Sequence, residues 1–159
     1  MKKGTLAVLS SIIGAAVGAT GVGYLGNKQI AQKAEKVDKF KGYYNMLNQW
    51  LIIKQEGKNL SEYFLKNDYN SIAIYGMGEM GNRLYDELKG TDVKVSYAVD
   101  KNAHCAYSEL EVLDPDECEY KEVDCIVVTA TFAFDEIEEK LEEVISFPIV
   151  SLEDVVYEM

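Results

Sequence analysis

The sequence predicts an α/β fold: a small doubly wound parallel sheet of about five strands, order 3-2-1-4-5. An N-terminal transmembrane helix and a linking amphipathic helix precede it. Three observations lead there. From Ser71 onward, short runs rich in β-branched residues alternate with helical stretches, which implies parallel strands joined by right-handed crossovers. The glycine-spaced hexapeptide Gly76-Met77-Gly78-Glu79-Met80-Gly81 stands between the first such strand and the helix after it. Thr5 to Gly26 carries no charged side chain. The expected organisation is a transmembrane anchor over 1–27, a helical linker over 28–68 and an α/β domain over 69–159.

The chain has 159 residues, 48% of them hydrophobic and 27% charged, enough for one globular domain with an appendage. Its net charge of −11 is unevenly spread. Residues 1–60 hold nine Lys and three acidic residues, whereas 61–159 hold seven Lys or Arg and twenty-four Asp or Glu. An acidic domain repels phosphate backbones, so nucleic acid is excluded as a partner. The basic part lies beside an apolar segment, which points to a membrane surface. Three cysteines without a C-x-x-C pair (Cys105, Cys118, Cys125) support neither a disulfide framework nor a structural zinc site.

As a helix, Thr5–Gly26 would reach about 33 Å, enough to cross a bilayer core. Gly14 and Gly18 form a G-x-x-x-G pair that allows two such helices to approach closely, so a homodimer is one expected partner. A cleaved signal peptide is the rival reading, with Lys2 and Lys3 as its basic start and Ala16, Gly18 and Ala19 near a cleavage point. Lys28, Lys33, Lys36, Lys39 and Lys41 follow the apolar stretch at once and outweigh the two lysines ahead of it. Positive charge beside a spanner stays on the cytoplasmic side, so the expected location is the cell membrane, single-pass through residues 5–26, with the C-terminal domain cytoplasmic.

In the linker, Val37, Phe40, Tyr44, Leu47 and Leu51 recur at three- and four-residue steps and share one helix face. The stripe lasts about two heptads, which favours packing on the following domain over a coiled-coil face. Gly57 ends that helix and Ser61–Lys66 forms a short second one; Trp50 lies near the stripe and serves packing.

The domain then reads as alternating elements. Ser71–Tyr75 is a strand, NRLYDELKG a helix closing at Gly90, and Val93–Val99 a second strand with Asp100 at its end. Glu109–Leu113 adds a small strand, Val123–Thr129 is an apolar one, and Phe134–Ile145 is a Glu-rich helix with Ile137, Leu141 and Val144 on one face. Pro148–Ser151 is the last strand and Leu152–Tyr157 a terminal helix. Such an order places a ligand crevice beside the first strand.

The hexapeptide sits where anion binding requires it. Gly76 permits the tight turn, Gly78 lets backbone N–H groups approach a diphosphate, and Gly81 lets the helix pack close to the strand. Free N–H groups and the helix dipole attract an anion there. Asp100 lies 19 residues after Gly81, where a carboxylate accepts hydrogen bonds from a ribose diol and repels a 2′-phosphate; NAD is preferred over NADP. Glu79 reads two ways: its charge competes with a phosphate for the dipole, or it favours the helix start and points to solvent.

The segments SIAIYGMGEMG, YAVDKN and DCIVVTATFAFDEI resemble the NAD(P)-binding Rossmann superfamily over about residues 71–155. They are most similar to the small modules found with bacterial surface-polysaccharide and nucleotide-sugar enzymes. The resemblance implies NAD or a nucleotide sugar as ligand. It places Gly76, Met77, Gly78, Glu79, Met80, Gly81, Asp100 and Lys101 at the site, and Thr129, Ala130 and Thr131 in the loop that passes over the cofactor.

Other motifs point to surface or core roles. Tyr97-x-x-x-Lys101 imitates a dehydrogenase Tyr/Lys pair but falls across a strand end. His104 reads as a loop histidine, and its neighbour Cys105 cannot readily meet it in catalytic geometry. Asp135, Glu136, Glu138, Glu139, Glu142 and Glu143 read as a solvated helix face. No segment ahead of Ser71 is suited to hold a substrate, so the expectation is a binding module acting as a sensor or accessory subunit. The alternatives are a subunit that needs a partner enzyme to modify a nucleotide sugar or transfer a hydride, and an interaction module whose crevice is closed by Glu79.

Overall fold

The computed structural model describes residues 36–103, 110–117 and 119–159. The expected anchor, with Gly14 and Gly18, lies outside them, as do His104, Cys105 and Cys118. Among the described residues no helix is long and apolar enough to cross a membrane. The chain forms two compact units, Met1–Tyr44 and Asn45–Met159. In the first, residues 36–44 are helical, and Val37, Phe40 and Tyr44 are 64%, 73% and 70% exposed.

The second unit opens with helix α1 (45–55). It continues through α2 (Ser61–Lys66), β1 (Ser71–Tyr75), α3 (Glu79–Leu88), β2 (Lys94–Val99) and the two-residue β3 (Val112–Leu113). After β4 (Cys125–Val128), a 3-10 turn over Thr131–Ala133 leads into α4 (Phe134–Glu142), and β5 (Ile149–Ser151) and α5 (Leu152–Tyr157) close the chain. The five strands form one sheet, β3-β2-β1-β4-β5, and every neighbouring pair is parallel. The expected order of 3-2-1-4-5 is the observed one.

Side chains alternate across the sheet, as a period of two demands. Ala73, Tyr97, Val99, Ile126 and Val128 face one side and pack with Leu141 of α4. Ile74 points to the other side, toward α3. The central strands are buried on both faces, so their sequences are continuous apolar runs rather than alternating ones. Asp124 fixes the start of β1, its carboxylate accepting from the Asn70 and Ser71 amides at 2.8 Å each.

The linker stripe departs from expectation. Leu47 and Leu51 are exposed like Val37, Phe40 and Tyr44, and α1 packs instead through Met46, Trp50 and Ile53. That second set also recurs at helical spacing, and its polar anchor decides between the two faces. Trp50 Nε1 donates to Glu87 Oε2 of α3 at 2.6 Å, and Glu87 Oε1 accepts from the Leu60 amide at 2.9 Å. In α4, Leu141 is buried and Ile137 half-buried as expected, but Val144 falls beyond the helix end and is exposed.

Candidate functional site

At the carboxyl ends of β1, β2 and β4 the chain reverses its winding. β1 leads through α3 toward one edge, and β4 leads through α4 toward the other. The two connections diverge there and leave a crevice. It has a volume of about 550 Å³. Its floor is Tyr75 and Gly76, with Asp100, Lys101 and Asn102 on the β2 side. Pro115 and Asp116 follow β3, while Ala130, Phe132 and Ala133 come from the turn after β4. Glu136, Ile137 and Lys140 of α4 complete the wall.

The glycine turn is held from both sides. Gly76 has φ +99°, a conformation L side chains rarely adopt, and its amide donates to the Val99 carbonyl at 2.8 Å. The Thr129 hydroxyl donates to the Gly76 carbonyl at 2.7 Å and occupies the space a Gly76 Cβ would need. Gly81 has a different reason: a Cβ there would stand 2.0 Å from the Gly76 carbonyl oxygen. This contact sets how closely α3 approaches β1.

Asp100 faces the glycine turn. Its Oδ2 accepts from the Met77 amide at 2.6 Å and its Oδ1 from the Asn102 amide at 2.7 Å. One of the loop's N–H groups is therefore spent on a carboxylate. At the start of α3 the N-cap residue is Gly78, which has no side chain to cap the first helical amides. Glu79 itself is exposed and does not line the crevice. Asn82 braces the turn, its Nδ2 donating to the Met77 and Gly78 carbonyls at 2.9 Å.

The far wall is charged. Lys140 Nζ lies 2.7 Å from Glu136 Oε1, and this hydrogen bond holds the Glu136 carboxyl below its ordinary value, with Lys101 acting in the same direction. The same partner raises Lys140. Opposite charges thus alternate along the opening, beside the 55% exposed ring of Phe132. Such a lining can hold a polar ligand with both donors and acceptors.

Of the residues singled out by sequence, Gly76, Asp100, Lys101 and Ala130 line the crevice. Met77, Gly78, Glu79, Met80 and Gly81 form the adjoining turn and helix start, and Thr129 is buried beneath it. Thr131 opens the 3-10 turn and is not in the lining. Tyr97 is fully buried and gives its hydroxyl to the Lys121 carbonyl at 2.8 Å, so it does not join Lys101. Sequence reasoning missed Asp116, Phe132 and Lys140, and it read Glu136 only as part of a solvated face. The i, i+4 spacing of Glu136 and Lys140 in the helix after β4 is the signal that marks them. Among the described residues, no group of three or more His, Cys, Asp or Glu side chains converges to hold a metal ion.

No curated protein and no solved structure matches the chain. A family model does match, over residues 68–148, a span that contains every residue lining the crevice. The chain belongs to the family described as C2185-like, N-terminal.

Proposed function

We propose that residues 69–159 form a Rossmann-like module that binds NAD or a nucleotide sugar. The module acts as a sensor or accessory subunit and is tethered to the cytoplasmic face of the cell membrane through residues 5–26. The observation that carries this reading is the crevice at the carboxyl ends of β1, β2 and β4, with the start of α3 a few residues beyond Gly76. A volume of about 550 Å³ lies in the range that receives small organic ligands. The α3 amides and dipole supply the positive potential a diphosphate seeks. Lys101 and Lys140 lie within reach of further anionic groups, and the exposed Phe132 ring offers a face for a base or sugar. The Asp100 carboxylate keeps acceptor capacity beyond its two backbone bonds, which suits a ribose diol.

The test is isothermal titration of the full-length chain in detergent with NAD, NADH and UDP-glucose at millimolar concentration. Binding heat with at least one of them is expected. Gly78→Ala should abolish that heat and leave the unfolding midpoint unchanged, because Gly78 has φ −69° and a Cβ there meets no atom within 4 Å. The added methyl would intrude only on a ligand approaching the backbone. No heat with any of the three ligands removes the reading.

A further inference from the structure

The helix over residues 36–44 carries three large exposed apolar side chains, Val37, Phe40 and Tyr44. At about 100° per residue they fall within an arc of about 60°. Lys36 and Lys41, both exposed, flank that arc on either side, and Asp38 lies on the far side. We propose that this helix lies flat on an anionic phospholipid surface, with Val37, Phe40 and Tyr44 in the acyl boundary and Lys36 and Lys41 on headgroup phosphates. The inference rests on the membrane tether of the proposed function and adds a second contact to it.

Three features favour lipid over a second copy of the chain. Membrane tethering would hold two copies parallel. With Val37 and Tyr44 at a positions and Phe40 at d, Lys36 and Lys41 then occupy g and the following e position. A parallel pair would bring these like charges together across its seam, whereas anionic headgroups neutralise them. The apolar side chains are also suited to the boundary: aromatic rings with polar tips, as in Tyr44, collect at headgroup level, and lysine stems extend their charge outward to phosphate. Charge is complementary on a larger scale as well. Residues 27–44 hold five Lys against Glu35 and Asp38, whereas 45–159 hold nine basic against twenty-five acidic residues, so the basic segment is the part drawn to an anionic leaflet.

The experiment places the photo-crosslinker p-benzoylphenylalanine at position 40 of the full-length chain, a site exposed enough to leave folding untouched. The protein is reconstituted into bilayers of phosphatidylcholine alone or mixed with phosphatidylglycerol, and adducts are read by mass spectrometry. Phospholipid adducts are expected, more abundant in the anionic bilayer, and reduced about fivefold or more by the double substitution Lys36→Gln and Lys41→Gln. Adducts to a second copy, adducts to residues 45–159, or lipid labelling indifferent to both lipid charge and the two lysines overturn the proposal. Alkaline carbonate extraction reads the tether separately: a chain retained in the bilayer whose position 40 labels no lipid refutes this inference alone, and a chain that is released refutes the tether as well.

Discussion

Replacing Glu87 tests how α1 and α2 are held to α3. Its carboxylate is nearly buried, with 7% of the side chain exposed, and accepts from Trp50 Nε1 and the Leu60 amide. Leu60 is fully buried and Trp50 is 5% exposed, so neither donor would regain full hydration in Glu87→Ala. Each charge-assisted bond contributes about 1.5–3 kcal/mol, and each stranded donor adds a desolvation cost. The ion pair to Lys54 at 3.3 Å adds less than about 1 kcal/mol, because that lysine is well exposed. Glu87→Ala should therefore destabilise by about 3–6 kcal/mol, Glu87→Gln by about half that, and Lys54→Ala by less than about 1 kcal/mol. Trp50 is the chain's single tryptophan, so its fluorescence during urea unfolding reports on this junction directly. With a slope of about 1.5 kcal/mol per molar urea, the Glu87→Ala midpoint falls by about 2–4 M, and the native emission shifts to the red. A midpoint within about 0.5 M of wild type, or a Lys54→Ala loss as large as that of Glu87→Ala, would refute the assignment of the energy to the two buried donors.

Two further outcomes follow from the packing and the titrating groups. Gly81→Ala should destabilise by about 2 kcal/mol in the same unfolding assay, since overpacking against the Gly76 carbonyl costs up to about 3 and better helix propensity returns about 1; an unchanged midpoint would show that α3 can retreat freely. Burial pushes the Cys125 thiol up from 9.0 to about 12, and burial with the nearby Glu158 charge pushes Tyr63 from 10.0 to about 12. Both groups keep their protons in the folded state after unfolded chains have lost them. Stability should therefore be unaffected by these groups below about pH 9 and fall as pH rises toward about 12, and Cys125→Ala should make that fall shallower in urea midpoints measured across the range.

The strand order was legible because each apolar run is short, bounded and followed by a change of period, and because the glycines mark where β1 ends. The packed face of α1 was not. Met46, Trp50 and Ile53 and the pair Leu47 and Leu51 both recur at helical steps, and the Glu87 hydrogen bonds that favour the first set join residues far apart in sequence. The near side of the crevice could be read from Gly76, Asp100, Lys101 and Ala130. Its far wall could not, since Glu136 is one of several carboxylates along α4 and only the fold turns it toward Asp116 and Lys101. Asp100 was placed correctly at the strand end, but its bond to the Met77 amide depends on the turn geometry, which residue types do not encode.

The outermost strands of the sheet, β3 and β5, are two and three residues long. A long open margin would offer a row of unpaired amides and carbonyls on which another polypeptide could template itself. Here the margins present so few that edge-to-edge growth finds little purchase. Such a domain can thus remain dispersed through the shortness of its borders, with Pro148 standing directly ahead of β5.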